Sequence, residues 1–309
     1  MKLTYRIARW IGSTEWLRLG VRRRLVRTVA HHSTVPSTPF EVTFRGGKYR
    51  GDIANTQEWH VFFFGGYELP ALALIRDILG LLDAPVACDV GGNLGGHTLV
   101  MSRHAAQVHT FEPYGPLADR IEEQLRLNGH EHVKVHRVGL GEEAAELSYY
   151  LDKDARNQGT GSFLADHNEG SSAALLKVVR ADDYIGDTID RLDFMKIDIE
   201  GFEAPALAGM QETLAKTEPV IMMEITESSQ KLVEEKGGYA SLFPFACDFY
   251  RVENPSYLLG LVQREDYRLA PLDVIEAERN SFNVLVVPHS RRAAIAGILQ
   301  RAGAEQAMA

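Results

Sequence analysis

A glycine-rich turn between a short apolar run and a helical segment is the feature that most constrains the fold of this chain. Residues 86–90 read Val-Ala-Cys-Asp-Val, the next six read Gly-Gly-Asn-Leu-Gly-Gly, and residues 97–104 have a helical composition. Glycines at such a turn permit left-handed backbone and a close approach to a ligand. In open α/β sheets, ligands bind outside the carboxyl ends of the strands. The turn therefore predicts an α/β fold with a ligand site at that edge.

Strand and helix patterns alternate along the rest of the chain. Further strands are predicted over residues 107–111, 133–138, 147–151, 176–179, 194–199 and 220–225, with an antiparallel closing pair at 245–252 and 281–287. Helices are predicted over residues 70–82, 116–127, 204–215 and 291–306. The polar composition of residues 156–172 predicts a loop. This alternation predicts a doubly wound, mainly parallel sheet with helices on both faces.

The first 55 residues differ in character from the rest of the chain. Residues 1–32 hold eight Lys or Arg and one acid, with apolar residues at helical spacing, and residues 40–53 predict a β-hairpin. We divide the chain into this helix and hairpin extension (1–55), an α/β domain (56–290) and a helical tail (291–309). A basic helix packed on the domain is the simpler interpretation of residues 1–32. Contact with an anionic membrane or an acidic partner is the alternative.

Bulk properties exclude several classes of function. The net charge of −9 gives no general attraction to nucleic acid. Cys88 and Cys247 are isolated, which argues against a disulfide framework and favours a cytoplasmic setting. The basic N-terminal helix adds a membrane-peripheral location as the alternative. No apolar run is long enough to span a bilayer. The spacing of three histidines at 130, 132 and 136 matches no trusted ligand pattern, so no metal is predicted. Nothing in the sequence indicates an oligomeric state.

An acid before the turn bears on the kind of ligand. A dinucleotide fingerprint needs glycine where Asn93 stands, between Gly91 and Gly96. The other template has an acid two residues before G-x-G-x-G, which Asp89, Gly91, Asn93 and Gly95 fit with one exception, at Asn93. A carboxylate would repel a pyrophosphate, whereas the ammonium and sulfonium groups of S-adenosylmethionine are cationic. Asp89 therefore favours the methyl donor over NAD(P), and an oxidoreductase is kept as an alternative.

Carboxylates at the ends of two later strands complete the predicted site. Glu112 ends the strand after the turn, about 20 residues beyond Asp89, where a carboxylate can accept the hydroxyls of a ribose. Lys196 and Asp198 share one strand face by the two-residue period, and Asp198 and Glu200 crowd the carboxyl end of that strand. Clustered acids are costly unless they bind a cation or share a proton.

These stretches, taken in order, resemble the FkbM-type methyltransferase family. The matching elements are Gly66-Tyr67-Glu68, CDVGGNLGGHT at 88–98, Phe111-Glu112-Pro113 with Leu125 and Asn128, VGLGE at 138–142, RADDYIGD at 180–187, DFMKIDIEGFE at 193–203, and Glu224. Two departures are Gly92, where Ala is more usual, and Arg180-Ala181 before Asp182, where Thr-Leu is common. The second leaves the role of Asp182 open.

The resemblance implies a class I methyltransferase fold with a seven-stranded Rossmann-like sheet and S-adenosylmethionine as donor. It implies O-methylation of a hydroxyl on a sugar, a glycan or a secondary metabolite, with a small-molecule or glycan acceptor. The residues implied to line the cofactor are Asp89, Gly91, Asn93, Gly95, Glu112, Gly139 and Asp198. Asp198 and Glu200 are implied at the methyl-transfer end.

An alcohol is a poor nucleophile at neutral pH, so a base is expected beside it. Asp198, Glu200 and His97 are the candidates, with Glu68 and Glu224 as further choices. His97 could equally be a solvent-facing residue at a helix start. A non-catalytic module that binds an adenosyl cofactor at a membrane is the other alternative function. The sequence does not specify the acceptor.

Overall fold

A computed structural model gives the architecture of most of the chain. It describes residues 2–14, 17–151, 156, 161–164, 173–186, 188–227, 233, 237–254, 257–258, 262–263, 266–272, 275 and 281–302. The helices are α1 (Leu3–Gly12), α2 (Leu19–Val29), α3 (Thr56–Phe64), α4 (Leu69–Leu81), α5 (Gly96–His104), α6 (Gly115–Asn128), α7 (Ala181–Gly186), α8 (Glu203–Ala208), α9 (Gln211–Thr217) and α10 (Arg292–Arg301).

The strands are numbered in the same way, in chain order. They are β1 (Pro39–Phe44), β2 (Gly47–Asp52), β3 (Val86–Val90), β4 (Gln107–Phe111), β5 (Val133–His136), β6 (Gly139–Gly141), β7 (Ala145–Tyr150), β8 (Ala173–Arg180), β9 (Phe194–Ile197), β10 (Val220–Ile225), β11 (Cys247–Glu253), β12 (Tyr257–Leu258), β13 (Val262–Gln263), β14 (Arg268–Leu272) and β15 (Phe282–Pro288). Helices and strands alternate from β3 to β5 and again from β8 to β10, as the sequence predicts, and β5 to β8 follow one another without an intervening α-helix among the described residues.

Eight of the described strands form the main sheet, in the order β14-β11-β15-β10-β9-β3-β4-β5. The five strands from β10 to β5 are parallel, and β15, β11 and β14 are antiparallel to their neighbours. The mainly parallel sheet and the antiparallel closing pair are confirmed, and β14 adds an eighth strand to the predicted seven. The chain runs outward from β3 to β5 and then returns to β9 on the other side of β3. The segments after β3 and β9 therefore meet at the switch point of the sheet.

Two predicted strands pair away from this sheet. β7 and β8 are antiparallel to each other, and β6 joins β8 in a separate three-stranded sheet. Of the predicted loop 156–172, the structure describes 156 and 161–164, and the rest lies outside the described residues. The predicted helical tail is present as α10, and residues 303–309 also lie outside the described part.

Two helix predictions need correction. The basic segment forms two helices, α1 and α2, and not a single one. The predicted helix 204–215 is broken into α8 and α9 at Met210, whose φ of −121° and ψ of 24° are not helical. The preceding Gly209 packs closely on Gly141, since a Cβ on Gly209 would lie 1.9 Å from the carbonyl oxygen of Gly141. Helices α3 and α7 have no counterpart among the predicted elements.

Asp182 caps α9 from a distant part of the chain, which explains a motif residue whose role the sequence leaves open. Its two carboxylate oxygens accept the backbone N–H groups of Glu212 and Thr213 at 3.0 and 2.8 Å. We expect Asp182→Ala to lower the free energy of unfolding by about 1–2 kcal/mol, because two helix N-terminal donors lose their acceptor. Urea denaturation measures this. Asp183→Ala is the control, since its exposed pair with Arg180 should contribute under ~1 kcal/mol. Equal losses in both variants would contradict the cap.

The N-terminal extension is fastened over the glycine-rich turn. Asn128 of α6 accepts the N–H of Lys48 and donates to its carbonyl, both at 2.8 Å, so this family-motif residue holds the β1–β2 hairpin. The buried Glu58 of α3 pairs with Arg120 of α6 at 2.8 Å. The hairpin and α3 therefore form a roof above the carboxyl edge of the sheet. In the part of the chain that is described, no helix is long and apolar enough to cross a membrane.

Candidate active site

One cavity, called cavity A here, opens at the carboxyl ends of β3, β4 and β9. It encloses about 550 Å³ between its walls, part of it open to solvent. Apolar side chains, among them Phe111, Val138 and Phe163, line most of it. Gly139 forms part of the wall, and a Cβ there would come within 3.2–3.3 Å of Val178 and Phe163. A flat apolar group therefore fits this cavity best.

Glu112 is the polar anchor of cavity A. Its Oε2 accepts the N–H of Asn93 and its Oε1 accepts the N–H of Tyr114, both at 2.9 Å. These two bonds fix the carboxylate at the end of β4, where it faces the cavity. Burial raises the pKa of Glu112 to about 7. The group is thus held in place to accept hydrogen bonds from ligand hydroxyls.

A second cavity, cavity B, lies between the glycine-rich turn and the N-terminal roof. Its polar lining comes from both sides. Gln57 of α3 and the following Tyr67 and Glu68 lie on the side of the roof, and His97, Lys196 and Asp198 lie on the side of the sheet. Gly91, Asn93 and Asp198 line both cavities. The two cavities therefore adjoin at Asp198, which comes directly after β9 at the switch point of the sheet.

Several acidic side chains surround this junction, and one buried lysine partly neutralises their charge. Lys196, 1% exposed, donates from Nζ to Asp198 Oδ2 at 2.8 Å, which confirms that the two share a strand face. The buried Asp89 and the half-buried Glu68 also interact electrostatically with Lys196. Glu200 and Glu224 add two carboxyl groups whose strongest charge interaction is with Asp198. Among the described residues, the acids at the junction thus outnumber its single lysine.

The acids respond to this crowding in different ways. Burial and the charge of Asp198 raise the pKa of Glu200 to about 8 and that of Glu224 to about 10. Burial also acts to raise the pKa of Asp198, but the Lys196 ammonium outweighs it, so this pKa is lowered. Asp198 therefore stays ionised while Glu200 and Glu224 hold protons near neutral pH. A bound cation would favour the ionised form of these acids.

His97 lies inside cavity B and not in solvent. Its Nε2 is 3.5 Å from Oε2 of Glu68, and only 14% of its side chain is exposed. Burial, with a smaller contribution from Lys196, lowers the pKa of His97 well below its usual value. The imidazole is therefore neutral at physiological pH and faces the carboxyl group of Glu68.

The backbone around the junction is strained. Glu68, Asn93 and Glu200 have φ of +49°, +51° and +53°, in the left-handed region that residues other than glycine seldom occupy. Gly91, at φ +88°, is required because a Cβ would approach the carbonyl of Asp198 to 1.9 Å. Glu203 holds the turn after β9 by accepting the N–H groups of Ile199 and Gly201. Strain of this kind persists at functional sites when the surroundings impose it.

Two of the residues predicted to bind the cofactor lie behind the cavity walls. Asp89 is fully buried, accepts a hydrogen bond from Thr98 at 2.5 Å, and lines neither cavity. Gly95 begins α5 with φ +82° and packs beside Ile121. Burial raises the pKa of Asp89 to about 6, and Lys196 opposes that rise. Asp89 interacts electrostatically with Lys196 of cavity B and with Glu112 of cavity A, so it acts on the site from behind its walls.

Sequence reasoning misses the wall that α3 contributes. Gln57 and Val61 of α3 line cavity B, but the aromatic-rich pattern of this segment does not indicate a helix. A signal is nevertheless present, since Asn55 accepts the N–H groups of Gln57 and Glu58 as a helix N-cap. The histidines at 130, 132 and 136 lie away from both cavities, and His132 contacts the carbonyl of Ser102.

Comparisons with known proteins agree with this arrangement. The model of the methyltransferase FkbM domain matches residues 89–268, more than half of the chain. The chain is 25% identical over 186 residues to Methyltransferase 1 of Beauveria bassiana, covering 52% of this chain and 75% of that protein. It is 30% identical over 154 residues to the hexuronic acid methyltransferase AglP of Haloferax volcanii, covering 48% and 61%.

Among solved structures, methyltransferase FkbM from Methylobacillus flagellatus is 21% identical with a TM-score of 0.41, covering 67% of this chain and 45% of that one. This chain therefore matches less than two thirds of the length of AglP and of that structure. The eight-stranded mixed sheet with its switch-point site is the α/β fold of class I methyltransferases. Within that class, the chain belongs to the FkbM methyltransferase family.

Proposed function

We propose that this protein is an S-adenosylmethionine-dependent methyltransferase that methylates a hydroxyl group of a sugar or glycan. The observation that carries the proposal is the junction of two cavities at Asp198, one apolar with an anchored carboxylate and the other acidic. A ligand with a flat nucleoside at one end and cationic groups at the other matches this pair. Membership of the FkbM family supports the same function.

The residues present suit the donor at each point. Adenosine would occupy cavity A, with Glu112 accepting from the ribose and Gly139 leaving room for the flat base. The amino-acid end would extend into cavity B, where Asp198 and Glu68 would attract its ammonium group and the N-terminus of α5, at Gly96, would face its carboxylate. S-adenosylmethionine, when bound, supplies a methyl group on a cationic sulfur. The excess of carboxyl groups at the junction offsets that charge.

Glu200 is the residue best suited to take the proton of the acceptor hydroxyl. A general base works best when its pKa lies near the working pH, and the pKa of Glu200 is raised to about 8. Asp198 is held by Lys196 with a lowered pKa, so it is a weaker base and a better permanent negative charge. His97 has its pKa depressed, which makes it a weak base as well.

The charge at the junction favours a neutral reacting group. Glu68, Asp198, Glu200 and Glu224 all contribute to the electrostatic environment of the Tyr67 hydroxyl, at the exposed rim of the site. An acceptor carboxylate or phosphate placed there would meet like charge, whereas a hydroxyl would not. The relative named as a hexuronic acid methyltransferase supports the sugar class. In such a sugar the carboxylate would have to lie away from these four acids.

Calorimetric titration with S-adenosylhomocysteine, and in parallel with NADH, tests the donor. We expect micromolar binding of the adenosyl ligand and none of NADH. Glu112→Ala should weaken the binding of S-adenosylhomocysteine by about 30-fold or more, because each hydrogen bond to a charged acceptor contributes about 1.5–3 kcal/mol.

Glu122→Ala is the matched control, since Glu122 is a surface acid of α6 that pairs with Arg126 and Arg137. The affinity of this control variant for S-adenosylhomocysteine should stay within about twofold of the parent value. Binding of NADH instead would favour an oxidoreductase and overturn the donor assignment. Binding of neither ligand would remove the basis of the proposal.

A further inference from the structure

The N-terminal helices have an apolar surface that plays no part in the proposed methyl transfer. Six of the nine large apolar side chains exposed in the described part of the chain lie on α1 and α2. On α1 they are Leu3, Ile7 and Trp10, and on α2 they are Val21, Leu25 and Val29. The spacings of three or four residues put each trio on one helical stripe. We call these two stripes together the N-terminal surface.

The orientation of these stripes results from how the helices are held. The opposite side of α1 buries Tyr5 and Ala8, and that of α2 buries Val26. Arg22 of α2, itself buried, donates to the carbonyl of Gly12 at 2.8 Å and joins the two helices. The stripes therefore face outward because the buried sides of both helices are already in use.

Positive charge surrounds the N-terminal surface. Lys2 and Arg6 on α1 and Arg24 and Arg27 on α2 are exposed beside the apolar stripes. A groove on α2 is lined by Arg23, Arg24, Arg27 and His31. Residues 1–32 hold eight Lys or Arg against one acid, which leaves 25 Lys or Arg against 41 Asp or Glu in the remainder. Residues 1–32 thus carry a net charge of +7, whereas the remainder of the chain carries −16.

We propose that the N-terminal surface docks on an anionic lipid bilayer, with its apolar stripes in the interface and its arginines on phospholipid headgroups. Helices with Trp and Leu on one side and Lys or Arg beside them bind bilayers in this way. Each cation near an anionic surface contributes about a fivefold gain in partition. The acidic remainder is repelled by the same bilayer, so the attraction also sets the orientation of the protein.

This docking would bring the bilayer close to cavity B. α1 packs on α3 through an edge contact between Tyr5 and Phe63 and through Gly12, where a Cβ would lie 2.1 Å from the carbonyl oxygen of Phe63. α3 in turn supplies Gln57 and Val61 to the wall of cavity B. Two packed helices, α1 and α3, thus lie between the lipid surface and the site. If the proposed function holds, a lipid-borne acceptor would be presented at the rim.

Co-sedimentation of the full chain with vesicles tests the docking without reference to activity. We expect binding to phosphatidylcholine vesicles that contain about 30% anionic phosphatidylglycerol, and little to phosphatidylcholine alone. Arg24→Ala with Arg27→Ala should reduce partition about 30-fold, and Trp10→Ala about tenfold. Arg126→Ala and Leu175→Ala, at exposed positions elsewhere, should not change it.

Folding and donor binding are checked separately for each variant. Thermal unfolding and S-adenosylhomocysteine affinity without vesicles should match the parent, so failure of docking and failure of the proposed function are distinguishable. Equal binding to neutral and anionic vesicles would overturn the electrostatic part of the proposal. A dimer in sedimentation velocity that Trp10→Ala dissociates, with no vesicle binding, would show that a second copy covers the surface and would overturn the proposal outright.

Discussion

Replacement of Glu200 by Gln should reduce kcat by roughly 10²–10⁴-fold, the range that general-base catalysis contributes. The amide keeps the size of the side chain but cannot take a proton from the acceptor hydroxyl. S-adenosylhomocysteine affinity should change little, because the proposed function assigns the nucleoside to Glu112 and not to Glu200. Rate and affinity are measured on the same preparation, once an acceptor has been found by screening neutral sugars.

The pH profile gives a second readout of the same residue. The base must be ionised, so the parent rate should fall as pH drops through the pKa of Glu200. That pKa is about 8 in the structure, and the positive charge of a bound donor should lower it. The acidic limb should disappear in Glu200→Gln.

His97→Asn is the matched comparison, because His97 is the other candidate base. We expect it to retain most of its turnover, since the pKa of His97 is depressed. If His97→Asn lost the rate and the acidic limb while Glu200→Gln kept both, the base would be His97, reaching the acceptor from cavity B.

Replacement of Lys196 by Met should destabilise the protein by about 3–5 kcal/mol, the cost of removing one partner from a buried ion pair. Lys196 is 1% exposed and interacts electrostatically with Asp198, Asp89 and Glu68. Without its charge, protonation of these acids becomes more favourable, above all at the fully buried Asp89. Urea denaturation at pH 7 measures the loss.

The sign of the pH dependence is set by the carboxyl groups. Removal of the ammonium should raise the folded-state pKa of Asp198 above the unfolded value of about 4, and should raise that of Asp89, which is already about 6, still further. Stability is then lost as pH rises through the raised pKa, so the penalty of Lys196→Met should shrink from pH 7 to pH 5. Lys177→Met, at an exposed position on β8, should stay within about 0.5 kcal/mol. A penalty independent of pH would mean that lost packing, and not charge, causes it.

The sheet could be predicted because its strands carry local signals. The apolar run before the glycine-rich turn and the acid after the next strand each fix an element and its carboxyl end, and parallel pairing then brings those ends together. The pairing of Lys196 with Asp198 is also predictable from a two-residue period. These inferences need only neighbours in sequence.

What the sequence could not show depends on contacts between distant segments. Asp182 accepts from Thr213, 31 residues later, and Asn128 holds a hairpin 80 residues earlier, so neither role has a local signature. The depth of Asp89 is set by the burial of β3 between β4 and β9. Cavity B needs α3 and the Tyr67–Glu68 segment to fold back over the turn, which a linear pattern does not reveal.

The split origin of the two cavities bears on how relatives could diverge. The described lining of cavity A comes from residues 90–200, inside the span that the family model matches. Cavity B draws Gln57, Tyr67 and Glu68 from chain that precedes that span. Mutations in that preceding chain can therefore accumulate without altering the lining of cavity A, the proposed nucleoside site. Substrate preference would then evolve in one segment while the shared chemistry is inherited in the other.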